Sequence, residues 1–284
     1  MLHIIIGQIV LKTIYCGEII GKIEVMILLI IINFSSFGFA DRGAATRFGF
    51  LLTACWWFVF AIPSFIYLPK TEKRLRNTFQ FNPKSYINQF KQLTRYRDLS
   101  VFLLAFLCYN DGIQTIISVS AIYARDELRL SQGTIIGCFL MIQFMAMPGS
   151  LLFARLSEKS GTQRAILLSL AMFLLVCIFA YKMSSTVEFW ILGGVIAVIL
   201  GGSQALSRSL YASMVPKEQA AEFFGFFTIS SRFAAIFGPL LFALIADLSG
   251  SSRNSILGLG IFFIAGGGLL LFVDVDRGRK LSKK

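Results

Sequence analysis

The chain has 284 residues, 56% of them hydrophobic, 14% aromatic and only 15% charged, with a mean hydropathy of +0.73. A soluble domain carries about 25% charged residues, so this composition excludes a soluble globular fold, and the lack of alternating ten-residue segments excludes a β-barrel. The net charge of +12 would point to nucleic acid in a soluble protein, but here the basic residues sit between apolar runs, as cytoplasmic loops place them, so the expected partner is the lipid bilayer and no nucleic acid.

The fold class is therefore all-α integral membrane. A crossing needs about 20 apolar residues, and in chain order spans are expected at 24–40, 48–68, 100–124, 133–154, 165–182, 188–208, 222–248 and 255–273. Residues 1–22 are interrupted by Gln8, Lys12 and Glu18 and read either as a loop or as the remnant of an earlier helix. They lack the basic start, apolar core and cleavage site of a signal peptide.

The connections fix the orientation. Segments 69–99, 155–164, 209–221 and 274–284 hold eight, three, one and five Lys/Arg, against two, two, none and one in 41–47, 125–132, 183–187 and 249–254. The basic side is cytoplasmic, so the C-terminus lies inside. Segment 69–99 is expected to be a cytoplasmic linker between a remnant of an N-terminal bundle, residues 1–68, and a six-helix bundle, residues 100–273, with a basic tail at 274–284. Within the linker Ile87, Phe90 and Leu93 recur at helical spacing among Lys84, Lys91, Arg95 and Arg97, which fits either a helix lying on the inner membrane surface or a solvated linker.

An internal repeat organises the bundle. Residues 149–164, GSLLFARLSEKSGTQR, and 238–253, GPLLFALIADLSGSSR, match at eight of sixteen positions at a fixed offset of 89. By the span count the first copy exits toward the cytoplasm and the second exits outward. The two three-helix units are then inverted repeats, the construction of many secondary transporters. Pro63, Pro148 and Pro239 lie in or near spans and are expected to kink them.

Polar residues at mid-depth are the candidate site. Asn110, Asp111 and Gln114 interrupt the apolar span 100–124, with Asp111 about 16 Å along it. An ionisable group there costs roughly 2.5–3.5 kcal/mol on insertion scales and marks function by default. Two readings stay open: a proton or substrate-ammonium site facing a cavity, or a polar knot that fixes helix packing. Arg232 lies at a similar depth in the span 222–248. A lone arginine needs a partner, so Asp111 and Arg232 are expected to form a buried ion pair or to bridge through a bound zwitterion. Gln204, Ser207 and Arg208, at i, i+3 and i+4, can line the inner mouth, although Arg208 can equally snorkel to headgroups. Gln143 is a weaker candidate of the same kind.

Catalytic and metal chemistry lack their residues. The five cysteines are scattered singly, His3 is the one histidine, and there is no HExxH, GxSxG or GxxxxGK[ST]. No enzyme activity, metal or cofactor is expected.

Residues 149–164 also resemble the loop signature of the major facilitator superfamily, G-x-x-x-D-R-x-G-R-[KR], with Arg155, Gly161 and Arg164 in place and Ala154 where the acidic residue normally stands. The resemblance implies a gating loop formed by Arg155, Lys159, Gly161 and Arg164. The stretches WWFVFAIPSF (56–65), FLLAFLCYNDGIQTII (102–117), GGSQALSRSLYASMVP (201–216) and EFFGFFTISSRFAAIFGPLLFALIADLSGSSR (222–253) resemble one branch, the vacuole-effluxer, autophagy-related group and its bacterial relatives. That likeness implies two six-helix domains around a central cavity, alternating access and, for the fungal members, export of amino acids from the vacuole; the expectation here is efflux of small polar solutes, amino acids among them, with proton coupling through Asp111 expected from the residues rather than from the likeness. The eight spans resemble family helices five to twelve: a complete C-terminal six-helix bundle plus about two helices of the N-terminal one. A missing N-terminal half is thus a candidate partner, and the alternative reading is a non-transporting remnant or membrane scaffold. The inner (plasma) membrane is the expected site, with the vacuolar membrane as alternative.

Overall fold

The computed structural model describes residues 42–67, 96–216 and 219–282. The chain divides into two units, residues 1–81 and 82–284. In the first, one helix is described, α1 (Arg42–Tyr67), which begins six residues before the expected span. Inside it Thr53 Oγ1 donates to the Gly49 carbonyl at 3.0 Å, satisfying a hydroxyl on an apolar helix. The expected span 24–40, and the linker up to residue 95, lie outside the described residues.

The second unit is all helical among the described residues. Its elements are α2 (Arg97–Asp126), α3 (Gln132–Ser160), α4 (Thr162–Lys182), α5 (Thr186–Met214), α6 (Ala220–Phe233), α7 (Phe237–Ser249), α8 (Ser252–Gly258), α9 (Gly260–Leu271) and α10 (Val275–Leu281). With α6–α7 and α8–α9 each counted as one interrupted rod, six are long and apolar enough to cross a membrane. These are the six spans expected between 100 and 273, each starting one to three residues earlier, with the last ending at Leu271 rather than 273.

Local chemistry sets the boundaries. Ser131 accepts from the Thr134 amide to start α3. Ser185 and Glu188 form a reciprocal capping box at the start of α5, satisfying two amides that a helix start leaves open. Gly161 (φ 89°) and Gly250 (φ 65°) are the positive-φ glycines among the described residues. They end α3 and α7 and are partners at the offset of 89; both take a positive φ, which glycine adopts without strain, although only Gly250 is in the left-handed helical region.

Contacts at the helix ends give the topology. At one end Gln163, starting α4, donates to the carbonyls of Leu270 (2.8 Å) and Val273 (3.0 Å), Tyr96 meets the Phe223 ring edge-on at 5.5 Å, and the Asp274 amide donates to Asp98 at 3.1 Å. At the other end Arg253 reaches Glu127 at 3.4 Å and the Tyr181 carbonyl at 3.3 Å. The segment around Gly161 and the segment around Gly250 therefore lie at opposite ends of the bundle, as inverted repeats require.

Apolar burial does not drive helices together in lipid; close packing at small residues does. A Cβ on Gly149 would sit 2.5 Å from the Val198 backbone, and one on Gly201 or Gly202 would overlap the Ala146 carbonyl or the Phe153 ring, so α3 and α5 touch backbone to backbone. Gly266 does the same for α9 against Tyr109 of α2. The apolar stretch of α2 is 61% buried, the most of any span, while α3 and α6–α7 are only 22% and 17% buried.

Candidate functional site

The YNDG stretch of α2 meets the broken rod α6–α7. Pro239 has no amide hydrogen for the Ala235 carbonyl, and its ring crowds that carbonyl, so a continuous helix is disfavoured here. Residues 234–236 form a turn instead, in which the Ala234 amide still reaches Ser230 (3.0 Å) and the Ile236 amide reaches Phe233 (3.2 Å). The new helix α7 then starts with open amides. Asp111 answers one of them: its Oδ1 accepts from the Gly238 amide at 3.0 Å. A carboxylate at a helix N-terminus is favoured by both hydrogen bonding and the helix dipole.

The seat is tight. Thr115 Oγ1 donates to the Asp111 carbonyl at 2.7 Å, and a Cβ on Gly238 would overlap the Thr115 hydroxyl. Asp111 is 0% exposed. Its second oxygen, Oδ2, is buried with no hydrogen-bond partner among the described residues, and the Phe237 amide also interacts favourably with the carboxylate.

The other expected residues distribute differently. Asn110 is buried beside Asp111 and Gln114 is half-buried. Arg232, Gln204 and Gln143 are exposed, and none forms an ion pair among the described residues. The direct Asp111–Arg232 ion pair expected from sequence is not formed. The helix break is the reason: the amides of α7 take the carboxylate, and Arg232 falls in the last turn of α6, where a cation suits the C-terminal end. Arg155, Lys159, Gly161 and Arg164 are likewise exposed, clustered around the α3–α4 turn.

Sequence reasoning missed three features. Tyr109 Oη donates to Ser207 Oγ at 2.6 Å, and Ser207 donates on to the Ser203 carbonyl at 2.6 Å, a buried relay joining α2 to α5. Phe106 stacks on Phe227 at 4.3 Å, and Tyr211 packs between Phe102 (6.0 Å) and Phe227 (5.0 Å). This column fixes α6 against α2 and α5, each pair contributing about 0.5–1.5 kcal/mol. At the inner end Arg277 of α10 makes a bidentate pair with buried Asp98, Nε to Oδ2 at 2.6 Å and Nη2 to Oδ1 at 2.5 Å. The bonds and charge of Asp98 hold the Arg277 guanidinium above its ordinary range. A lone acidic residue at the edge of a basic segment was the available signal for Asp98.

The sequence profile of the family described as "Vacuole effluxer Atg22 like" matches residues 6–283. Among individual proteins, the chain is 36% identical over 248 residues to "Uncharacterized MFS-type transporter YxiO" of Bacillus subtilis, covering 85% of this chain and 56% of that one. It is 25% identical over 274 residues to "Autophagy-related protein 22" of Yarrowia lipolytica, covering 82% and 45%, and 26% identical over 299 residues to "Autophagy-related protein 22-1" of Aspergillus fumigatus, covering 94% and 47%. The chain spans about half the length of the curated relatives it matches. By the extent of the profile match, this multi-pass membrane chain belongs to the Atg22-like vacuole effluxer family, whose relatives here include a transporter of the MFS type.

Proposed function

We propose that this chain forms the C-terminal half of a secondary carrier that exports small polar solutes, amino acids among them, by alternating access. The observation that carries the reading is the seat of α7: a wholly buried carboxylate at the N-terminus of a half-helix inside a bilayer-length rod. Discontinuous helices of this kind build the substrate and ion sites of inverted-repeat carriers. Asp111 is the central polar group, with Asn110 and Gln114 beside it. The exposed Arg232, Gln204 and Gln143 belong to the solute path, where Arg232 meets a substrate carboxylate. Arg155, Lys159, Gly161 and Arg164 gate the inner mouth. The thinly covered faces of α3 and α6–α7 meet a second, N-terminal bundle. The plasma membrane is the proposed location, supported by the higher identity to the Bacillus protein than to the fungal ones.

The test is counterflow of radiolabelled amino acids in proteoliposomes holding the 284-residue chain, alone and with an N-terminal six-helix half from a relative. Flux that falls at least about tenfold in Asp111→Asn, a change of about 1.4 kcal/mol or more, supports the reading. Folded protein that moves no amino acid under either condition sinks it.

A further inference from the structure

We propose that the inner end of the bundle carries a preformed site for the headgroup of an anionic phospholipid, built from Arg279 and Lys280 of α10 with Arg97 of α2, and that the Asp98–Arg277 pair holds its shape. The inference goes beyond the carrier reading and does not depend on it.

The chain after the last span is basic. Residues 274–284 hold five Lys/Arg against Asp274 and Asp276. A cluster of that size next to the end of a span attracts anionic lipid. A loose tail would do so diffusely, but this one is fixed. The Gln163 side chain holds the Leu270 and Val273 carbonyls, which pins the chain where α9 gives way to α10. Asp274 then caps α10, accepting from the Arg277 amide at 2.9 Å, and its own amide donates to Asp98. Arg277 closes the clasp with its two bonds to Asp98. Gly278 is buried, and a Cβ there would stand 2.9 Å from the Met214 sulfur, so α10 lies close on the end of α5.

These bonds sort the charges. Arg277 is spent on Asp98, and Asp274 on the helix cap. Two exposed cations remain on α10. Arg279 gives only its Nε, to Ser213 of α5 at 3.2 Å, and Lys280 forms no ion pair among the described residues. Arg97 is also exposed and lies near enough to act on the Asp98 charge. Asp276 is the one unspent carboxylate on α10. A phosphate diester suits this set, since it offers a guanidinium two oxygens and an ammonium a point of negative charge.

Depth points to lipid as its source. Leu271 and Phe272, 66% and 78% exposed, close α9 on the hydrocarbon side, and Arg279 and Lys280 follow within eight residues. Leu281 beside them is 40% exposed, an apolar contact for the same interface.

The experiment uses the full chain in phosphatidylcholine liposomes, with the native cysteines replaced by alanine and a fluorophore at Ser282→Cys. Quenching by nitroxide-labelled phosphatidylglycerol is compared with quenching by phosphatidylcholine carrying the same label. The expected result is a local enrichment of the anionic lipid of roughly fivefold or more, the size of one or more charge contacts at headgroup level. Arg279→Gln with Lys280→Gln should lose most of it. Arg253→Gln, a cation removed at the outer end, should leave it unchanged. Asp98→Asn separates a built site from general attraction. It adds positive charge to the inner end, so attraction alone would hold or raise the enrichment, whereas loss of the clasp should lower it at least about twofold. If Asp98→Asn fails to fold, Gly278→Leu decides in its place, because it changes no charge but drives α10 off Met214. Inorganic phosphate at matched ionic strength should not reverse the quenching. Equal quenching by the two lipids, enrichment that survives the double substitution or falls as much in Arg253→Gln, an undiminished ratio in Asp98→Asn, or reversal by inorganic phosphate overturns the proposal.

Discussion

The bundle makes one contact twice, and the two versions differ where function is expected. The middle helix of each repeat packs on the first helix of the other: α3 on α5, and α6–α7 on α2. Gly149 and Gly238, partners at the offset of 89, both stand where a Cβ would strike the neighbouring helix; Gly112 of α2 and Gly201 of α5 are also partners at that offset, but Gly201 faces α3 whereas Gly112 faces Phe262 and Phe263 of α9. In the first contact α3 runs unbroken through Pro148, and Leu200 occupies the position that corresponds to Asp111. In the second the rod breaks before Pro239, and Asp111 takes the freed amide. Both copies carry a proline, but not in register: Pro148 precedes Gly149, whereas Pro239 follows Gly238. The broken copy differs both in the place of its proline and in facing a carboxylate that satisfies the exposed helix start. A symmetric scaffold thus holds one dry, rigid seam and one polar seam with a hinge beside it.

The sharpest way to break this comparison is to attack the rigid seam. Gly201→Val or Gly149→Leu forces backbones apart and is expected to lose about 1–3 kcal/mol or more of stability, read as a large fall in thermal midpoint in detergent. Asp111→Leu comes next. It abandons the Gly238 amide in a buried site and should cost about 1–3 kcal/mol, whereas Asp111→Asn keeps an acceptor for that amide but loses the charge that suits a helix start, and should melt between Asp111→Leu and the wild type. If Leu and Asn prove equally harmful, the cap is not what seats α7. Asp98→Asn weakens the bidentate tie of α10 to α2; its melting point should fall by less than that of Asp111→Leu, and an Asp98→Arg, Arg277→Asp exchange should recover part of the loss. The smallest effect is predicted for Arg253→Gln at the outer end, whose long, partly exposed pair with Glu127 should contribute about 0–1 kcal/mol.

Much of the plan was legible in the residues. Six spans followed from apolar length, since a helix is the one local structure that satisfies its own backbone in lipid. The inverted repeat followed from a fixed offset, because matching contacts call for glycine at matching places. Asp111 stood out since a carboxylate among leucines and phenylalanines has an energetic cost that needs a reason. The helix break was half visible: Pro239 announced a kink, but the same argument applied to Pro148, and no local rule separates them. Arg232 misled for a related reason. Position along a continuous helix was all the sequence offered, and the break at 234–236 brings Gly238, six residues beyond Arg232, to Asp111.

Sequence by itself determined that the chain lies in a membrane, which stretches cross it, that two units oppose each other, and that one acid lies deep, because hydropathy, charge bias and repetition are properties of residues in order. Only the tertiary structure decided what that acid holds. The Gly238 amide, 127 residues downstream at a break in the rod, rather than a guanidinium, meets Asp111, since hydrogen-bond partners across helices are chosen by packing geometry, and the close approach at Gly238 leaves room for a backbone and nothing larger.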